Sequence, residues 1–301
     1  MSAEDLWPAK RRVTLIGAVA NLLLSLGKIS GGVVGQSQAL IADGVHSLSD
    51  LLSDGLVLFA ARWGSLDADH NHPYGHARIE TLATLGVGLL LIAIGAGFIL
   101  DSIFRLLSPE RLLVPGWLAF WIVVVSLLVK EGLYRYTERV ARRTGSALLL
   151  ANAWHHRSDA LSSVVVLVGI GGALLGLVWL DSVAATVVGV MLAWVGWRLL
   201  APAAAELVDT GLSRRELAAL AARIDALDSV QGHDRLRSRR MGAHVFVDVR
   251  VWVAADLSVA EAERIATKVR RTMVDQLPGR ADVIVSLHAG ERSDESRAGT
   301  P

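Results

Sequence analysis

Apolar residues gather into six long runs over the first two thirds of the chain and into shorter periodic patterns in the last third. Residues 13–34 form the first run, whose 22 positions would rise about 33 Å as a helix, close to the roughly 30 Å of bilayer hydrocarbon. Further runs occupy 39–61, 81–107, 114–134, 148–178 and 180–200, with polar or Pro/Gly breaks between them. The pattern predicts an α-helical membrane protein with six transmembrane helices. Lys10, Arg11 and Arg12 resemble the start of a signal peptide, but the run that follows is too long and lacks a small-residue cleavage site, so it is expected to be retained.

The pattern changes after Leu207, where charged residues become frequent and no run is long enough to span. Ser213 can cap a helix carrying Leu217, Leu220, Ile224 and Leu227 at helical spacing. The valines at odd positions from Val245 to Val253 alternate with other residues at the period of a half-buried strand. A second helix over 258–277, a closing strand over 282–288 and a weaker strand near 235–239 give the order αββαβ, an α+β domain in two layers. The expected domains are therefore a transmembrane unit over 1–207, a soluble unit over 208–290 and a disordered tail over 291–301.

Composition agrees with the spans: 52% of residues are hydrophobic and 20% charged, and the mean hydropathy is +0.45. The net charge of +1 gives no reason to expect a nucleic-acid partner. With no cysteine, disulfides, thiolate metal sites and Cys nucleophiles are excluded, so any metal must be held by His, Asp, Glu or backbone. Arg62, Arg78, Arg135, Arg139, Arg142 and Arg143 join the N-terminal basic cluster on one side, against Arg105 and Arg111 on the other. The positive-inside rule then places both termini in the cytoplasm.

The second span holds Asp43, His46, Asp50 and Asp54 at offsets 0, 3, 7 and 11, on one helix face. An Asp at the centre of a membrane helix costs about 2.5–3.5 kcal/mol on insertion scales, so three of them require water, a partner or an ion. Asp43 and Asp54 are expected to border a pathway, or to lie in a helix–helix seam. The fifth span repeats the His-x-x-x-Asp spacing with His155 and Asp159. Two such pairs supply four ligands for a tetrahedral ion, and two carboxylates balance a dication. His156 points away from that face and reads as an interfacial or interhelical donor. The loop DADHNHPYGH adds Asp69, His70, His72 and His76, which can close a second metal site or remain a solvated loop.

Asn21 and Lys28, SQALIADGVHSLSD, HPYGHARIETLA and WHHRSDALSS occur in this order, and the set resembles the cation diffusion facilitator family of divalent-metal exporters from about Asn21 to His288. The resemblance implies six transmembrane helices with a cytoplasmic ferredoxin-like domain, a homodimer in the cell membrane, and metal export in exchange for protons. It implies a membrane metal site of His46, Asp50, His155 and Asp159, a loop site of Asp69, His72 and His76, and a salt bridge between Arg78 and Asp209. The His-Asp-His-Asp set is similar to that of zinc-preferring members. Where related cytoplasmic domains bind metal, this chain holds Arg250, Glu263 and Ser286, which counts against zinc locking there; His233, His244 and His288 remain for a displaced site.

These readings predict a secondary active transporter rather than an enzyme, with zinc as the cargo and no cofactor beyond the transported cation. The metallopeptidase motif His-Glu-x-x-His and the serine-hydrolase motif Gly-x-Ser-x-Gly are both absent. Metal binding would displace protons, because ligation requires neutral imidazoles and ionised carboxylates, and a more acidic exterior would return them. The alternatives are a manganese- or iron-exporting member of the family and a transport-incompetent scaffold for another transporter.

Overall fold

The computed structural model describes residues 3–64, 66, 68–144, 146–242, 244–277 and 280–290. The expected tail over 291–301 lies outside the described residues. The chain divides into two compact units, Met1–Leu56 with Gly86–Leu200, and Val57–Leu85 with Ala201–Pro301.

Six long helices come first: α1 (Ala3–Val34), α2 (Gln38–Gly64), α3 (Arg78–Leu107), α4 (Trp117–Thr144), α5 (Ala147–Leu174) and α6 (Trp179–Leu207). Among the described residues, all of these except α2 are long and apolar enough to cross a membrane; the His and Asp stripe lowers the apolar content of α2. Several helices outrun the spans read from the sequence. α4 starts later than expected, at Trp117 rather than 114, but continues to Thr144 through charged turns, and α5 ends at Leu174 rather than 178. Apolar content marks only the stretch that hydrocarbon can hold, whereas the backbone hydrogen-bond ladder continues into water-facing turns.

Small residues and branched aliphatics form the core of the helical unit: Ala39, Leu40 and Ala42 of α2 meet Val123 of α4, Ile170 of α5 and Val188 of α6. Large apolar side chains such as Leu23 on α1 and Leu128 on α4 are about two thirds exposed, at 65% and 67%, as surfaces facing lipid must be. α3 and α6 approach closely through glycines. A Cβ on Gly95 would lie 2.6 Å from Gly189 O, and one on Gly88 would lie 2.8 Å from Gly196 O. The α1–α2 turn is fixed by Asp181 of α6, which accepts hydrogen bonds from Ser37 Oγ at 2.6 Å and Gln38 N at 2.8 Å. A carboxylate thus satisfies free N–H groups at the start of α2.

The second unit carries the αββαβ domain: α7 (Arg214–Asp225), β1 (Gly232–Met241), β2 (His244–Val253), α8 (Val259–Val274) and β3 (Arg280–Ala289). Ser213 and Ser258 each begin a helix with a reciprocal capping box, to Glu216 and Glu261. The sheet order is β1-β2-β3, with β1 antiparallel and β3 parallel to β2. The parallel pairing requires a crossover, which α8 supplies. Val245, Val247, Val249, Val251 and Val253 face Leu220, Ile224, Val269 and Met273 in one core. β1 is longer than the expected 235–239. A bulge between Asp234 and Arg237 breaks its alternation, and its arginines hide the strand from a hydrophobic reading.

Candidate metal site in the helical unit

α2 and α5 carry the two His-x-x-x-Asp pairs, and the helical repeat puts each pair one turn apart. His46 Nε2 lies 3.8 Å from Asp50 Oδ2, and His155 Nδ1 lies 3.7 Å from Asp159 Oδ1. Ligand atoms of His46, Asp50 and Asp159 all come within 4.8 Å of one another, a spacing at which one cation can be shared. His46 Nδ1 and Asp50 Oδ2 are buried without a hydrogen-bond partner among the described residues, so their binding capacity is unspent. His155 is the exception: its side chain is 47% exposed and stands outside the three-residue group. The converged set is therefore one imidazole and two carboxylates, with a second imidazole beside Asp159.

Asp43, expected along a pathway, is fully buried and closed on itself. Lys28 Nζ lies 2.7 Å from Asp43 Oδ2, while Ser162 and Ser163 donate to its two oxygens at 2.8 and 2.9 Å. The Asp54 side chain lies outside the described residues. His156 is buried against α1: a Cβ on Gly17 would lie 3.3 Å from its Nε2, and neither ring nitrogen has a hydrogen-bond partner among the described residues.

Sequence reasoning missed Lys130. It sits on α4, 1% exposed, with Nζ 3.7 Å from Asp159 Oδ2, 3.3 Å from Ser47 Oγ and 3.4 Å from Asp159 O. Its one sequence signal is a lysine near the end of an apolar run, which also describes an interfacial residue that reaches for water.

In the second unit, Asp69, His72 and His76 form another group with ligand atoms within 4.8 Å. An Asx turn builds it: Asp69 Oδ1 accepts from Asn71 N at 2.9 Å and His72 N at 2.6 Å. Gly75 at φ 84° supplies the left-handed residue that lets the loop return. The His72 backbone N–H, more than any other group, holds the Asp69 carboxyl below its ordinary pKa. Nearby, Arg78 Nη2 lies 2.6 Å from Asp209 Oδ1, and Thr81 and the Gly242 backbone both donate to Glu206 Oε1 at 2.6 Å.

The three histidines considered for a displaced site in the α+β domain do not meet. His244 starts β2, while His233 and His288 register opposite Val251 and Trp252, about 23 Å further along at roughly 3.3 Å per residue. His233 instead lies 2.7 Å from Asp225. Arg250 and Ser286 are cross-strand partners, with Arg250 Nε 3.6 Å from Asp234 Oδ1; Glu263 is exposed on α8, over the other face of the sheet.

Residues 14–208 match the cation efflux transmembrane domain, and residues 212–287 match the cytoplasmic domain of cation efflux proteins. The chain belongs to the cation efflux family. It is 35% identical over 290 residues to metal tolerance protein C1 of Arabidopsis thaliana, covering 92% of this chain and 62% of that relative, so it spans under two thirds of the plant protein. In Bacillus subtilis (strain 168), the manganese efflux system protein MneP is 27% identical, over 92% of this chain and 95% of its own length. MneS from the same strain is 32% identical, with coverages of 87% and 90%.

Proposed function

We propose that this cation efflux protein exports a divalent metal ion from the cytoplasm as a secondary transporter, with protons moving inward in exchange. The observation that carries the reading is the convergence of buried His46 and Asp159 with partly buried Asp50 between long helices of the helical unit. Two carboxylates and an imidazole at this depth are costly unless a cation or protons neutralise them. In the proposed cycle His46 and His155 are neutral and Asp50 and Asp159 ionised when metal binds from the cytoplasm. Protons displace the cargo on the acidic outer side. The Asp69, His72 and His76 loop is a second metal site in the same reading. The working form is a homodimer in the cell membrane with both termini in the cytoplasm, and Arg78 with Asp209 joins the loop end of α3 to the end of α6.

Zinc is the preferred cargo if His155 turns in to complete a two-imidazole, two-carboxylate set, because zinc favours four nitrogen and oxygen ligands. Manganese is the second reading. It is favoured by the oxygen-rich set of one imidazole and two carboxylates that converges here, and by the manganese efflux named for MneP and MneS.

Metal-driven proton flux in proteoliposomes holding the full chain tests both, with zinc, manganese and iron supplied in turn. Flux that Asp159→Ala abolishes supports exchange through this site, and the ion that drives it fastest identifies the cargo. Export that is indifferent to external pH would sink the exchange scheme. Silence with every ion would favour a scaffold role.

A further inference from the structure

Two buried ammonium groups stand beside the membrane site, and their surroundings differ. Lys28 has a carboxylate of its own, Asp43 at 2.7 Å, together with the Ser163 hydroxyl at 3.0 Å. Among the described residues, Lys130 has no such private partner. Its nearest carboxylate is Asp159 at 3.7 Å, a member of the metal-binding group. The Ser47 hydroxyl stands between the two lysines, 3.4 Å from Lys28 Nζ and 3.3 Å from Lys130 Nζ, which holds Lys130 on the Asp159 side of the Lys28–Asp43 pair. Lys130 is 1% exposed, so water does not screen its charge as it would at a surface.

A dication held by Asp50 and Asp159 would therefore lie beside a positive charge that the fold itself supplies. Asp43 is already matched by Lys28, leaving two carboxylates and one ammonium at the site. We propose that Lys130 sets the affinity of the membrane site, as a tethered ammonium that competes with the transported dication for Asp159. This rests on the metal-site reading given above. Lys130 ligates no metal; it acts through Asp159 and is a positioning residue. Its consequence for transport is that the cargo is held less tightly than two bare carboxylates would hold it, which favours release on the far side.

Removing the charge and loosening the packing act on metal affinity in opposite directions. Lys130→Met keeps the length of the side chain and removes the charge. Titration calorimetry on the full chain in detergent, with zinc and then manganese as the probe, reads the membrane site as the heat that Asp159→Ala abolishes. Lys130→Met is expected to tighten that site about ten-fold or more for both ions, because a fixed charge repels any dication. Lys130→Arg is expected to stay within about three-fold of wild type. In proteoliposomes the Met variant should lower KM and kcat together, since tighter binding slows release. A folded Lys130→Met protein that binds metal as wild type does, or more weakly, overturns the inference. If that variant does not fold, Lys130→Gln, which can still donate to Ser47, carries the same expectation and the same refutation. A wild-type protein with no Asp159-dependent heat would overturn the metal-site reading itself, and this inference with it; intact wild-type binding with no tightening overturns the inference alone.

Discussion

Lys28→Met should unfold the helical unit far more readily than its single lost charge suggests. Lys28 and Asp43 are both 0% exposed and 2.7 Å apart. Without the ammonium, the carboxylate keeps the Ser162 and Ser163 hydroxyls, at 2.8 and 2.9 Å, as its hydrogen-bond donors among the described residues, with Lys130 only as a more distant charge. Two neutral donors do not balance a full negative charge in an apolar interior. Removing one partner of a buried ion pair costs about 3–5 kcal/mol, chiefly because the other charge is left uncompensated. At about 2–4 °C per kcal/mol for a body of this size, Tm should fall by about 6–20 °C. The assay is thermal unfolding in detergent followed by tryptophan fluorescence, with Lys28→Met/Asp43→Leu alongside. Replacing both charges by apolar groups of similar size is often close to neutral, so the double variant should recover most of the loss. If Lys28→Met falls within about 1 kcal/mol of wild type, or the double variant is worse than the single, the pair does not hold a buried charge. Asp43 would then return as a candidate for a hydrated pathway.

Two other perturbations probe the packing and the caps. Gly95→Val places its Cβ against the Gly189 and Ala193 backbone, at 2.6 and 2.8 Å, so α3 and α6 must separate; a loss of about 1–3 kcal/mol or more is expected in the same unfolding assay. Gly86→Val, with nothing within 4 Å of its Cβ, is the control and should change little. In the α+β domain, Ser258→Ala should cost about 1 kcal/mol by removing the cap of α8. The Ser258 hydroxyl, then its backbone N–H, hold the Glu261 carboxyl below its ordinary pKa. A depressed folded-state pKa stabilises above the unfolded value and loses that contribution as pH falls through the folded one. Wild type should therefore keep the carboxylate half of the capping box at neutral pH and lose it only under acid, while Ser258→Ala shows a weaker acid dependence over the same range in chemical unfolding.

The spans, the domain order αββαβ and the paired His-x-x-x-Asp spacing are all local in the chain. Hydrophobic periodicity and the expense of ionisable groups in lipid make them legible without coordinates. The valine alternation of β2 could be read for the same reason, since one face had to be buried. β1 was only partly visible, because its bulge and arginines carry no alternation and its place in the sheet comes from pairing with β2. The separation of the three domain histidines is also a matter of register. What only the tertiary structure decided is how charge is distributed among helices far apart in sequence. The stripe on α2 puts four polar residues on one face without naming their partners; packing commits Asp43 to Lys28 of α1 and brings Asp50 and His46 to Asp159 of α5. It also leaves His155 half exposed and delivers Lys130 of α4 to the same carboxylate. Sequence spacing fixes which residues share a helix face, but the partner that faces it is chosen by helix–helix packing, and the energy of a buried charge depends on that partner.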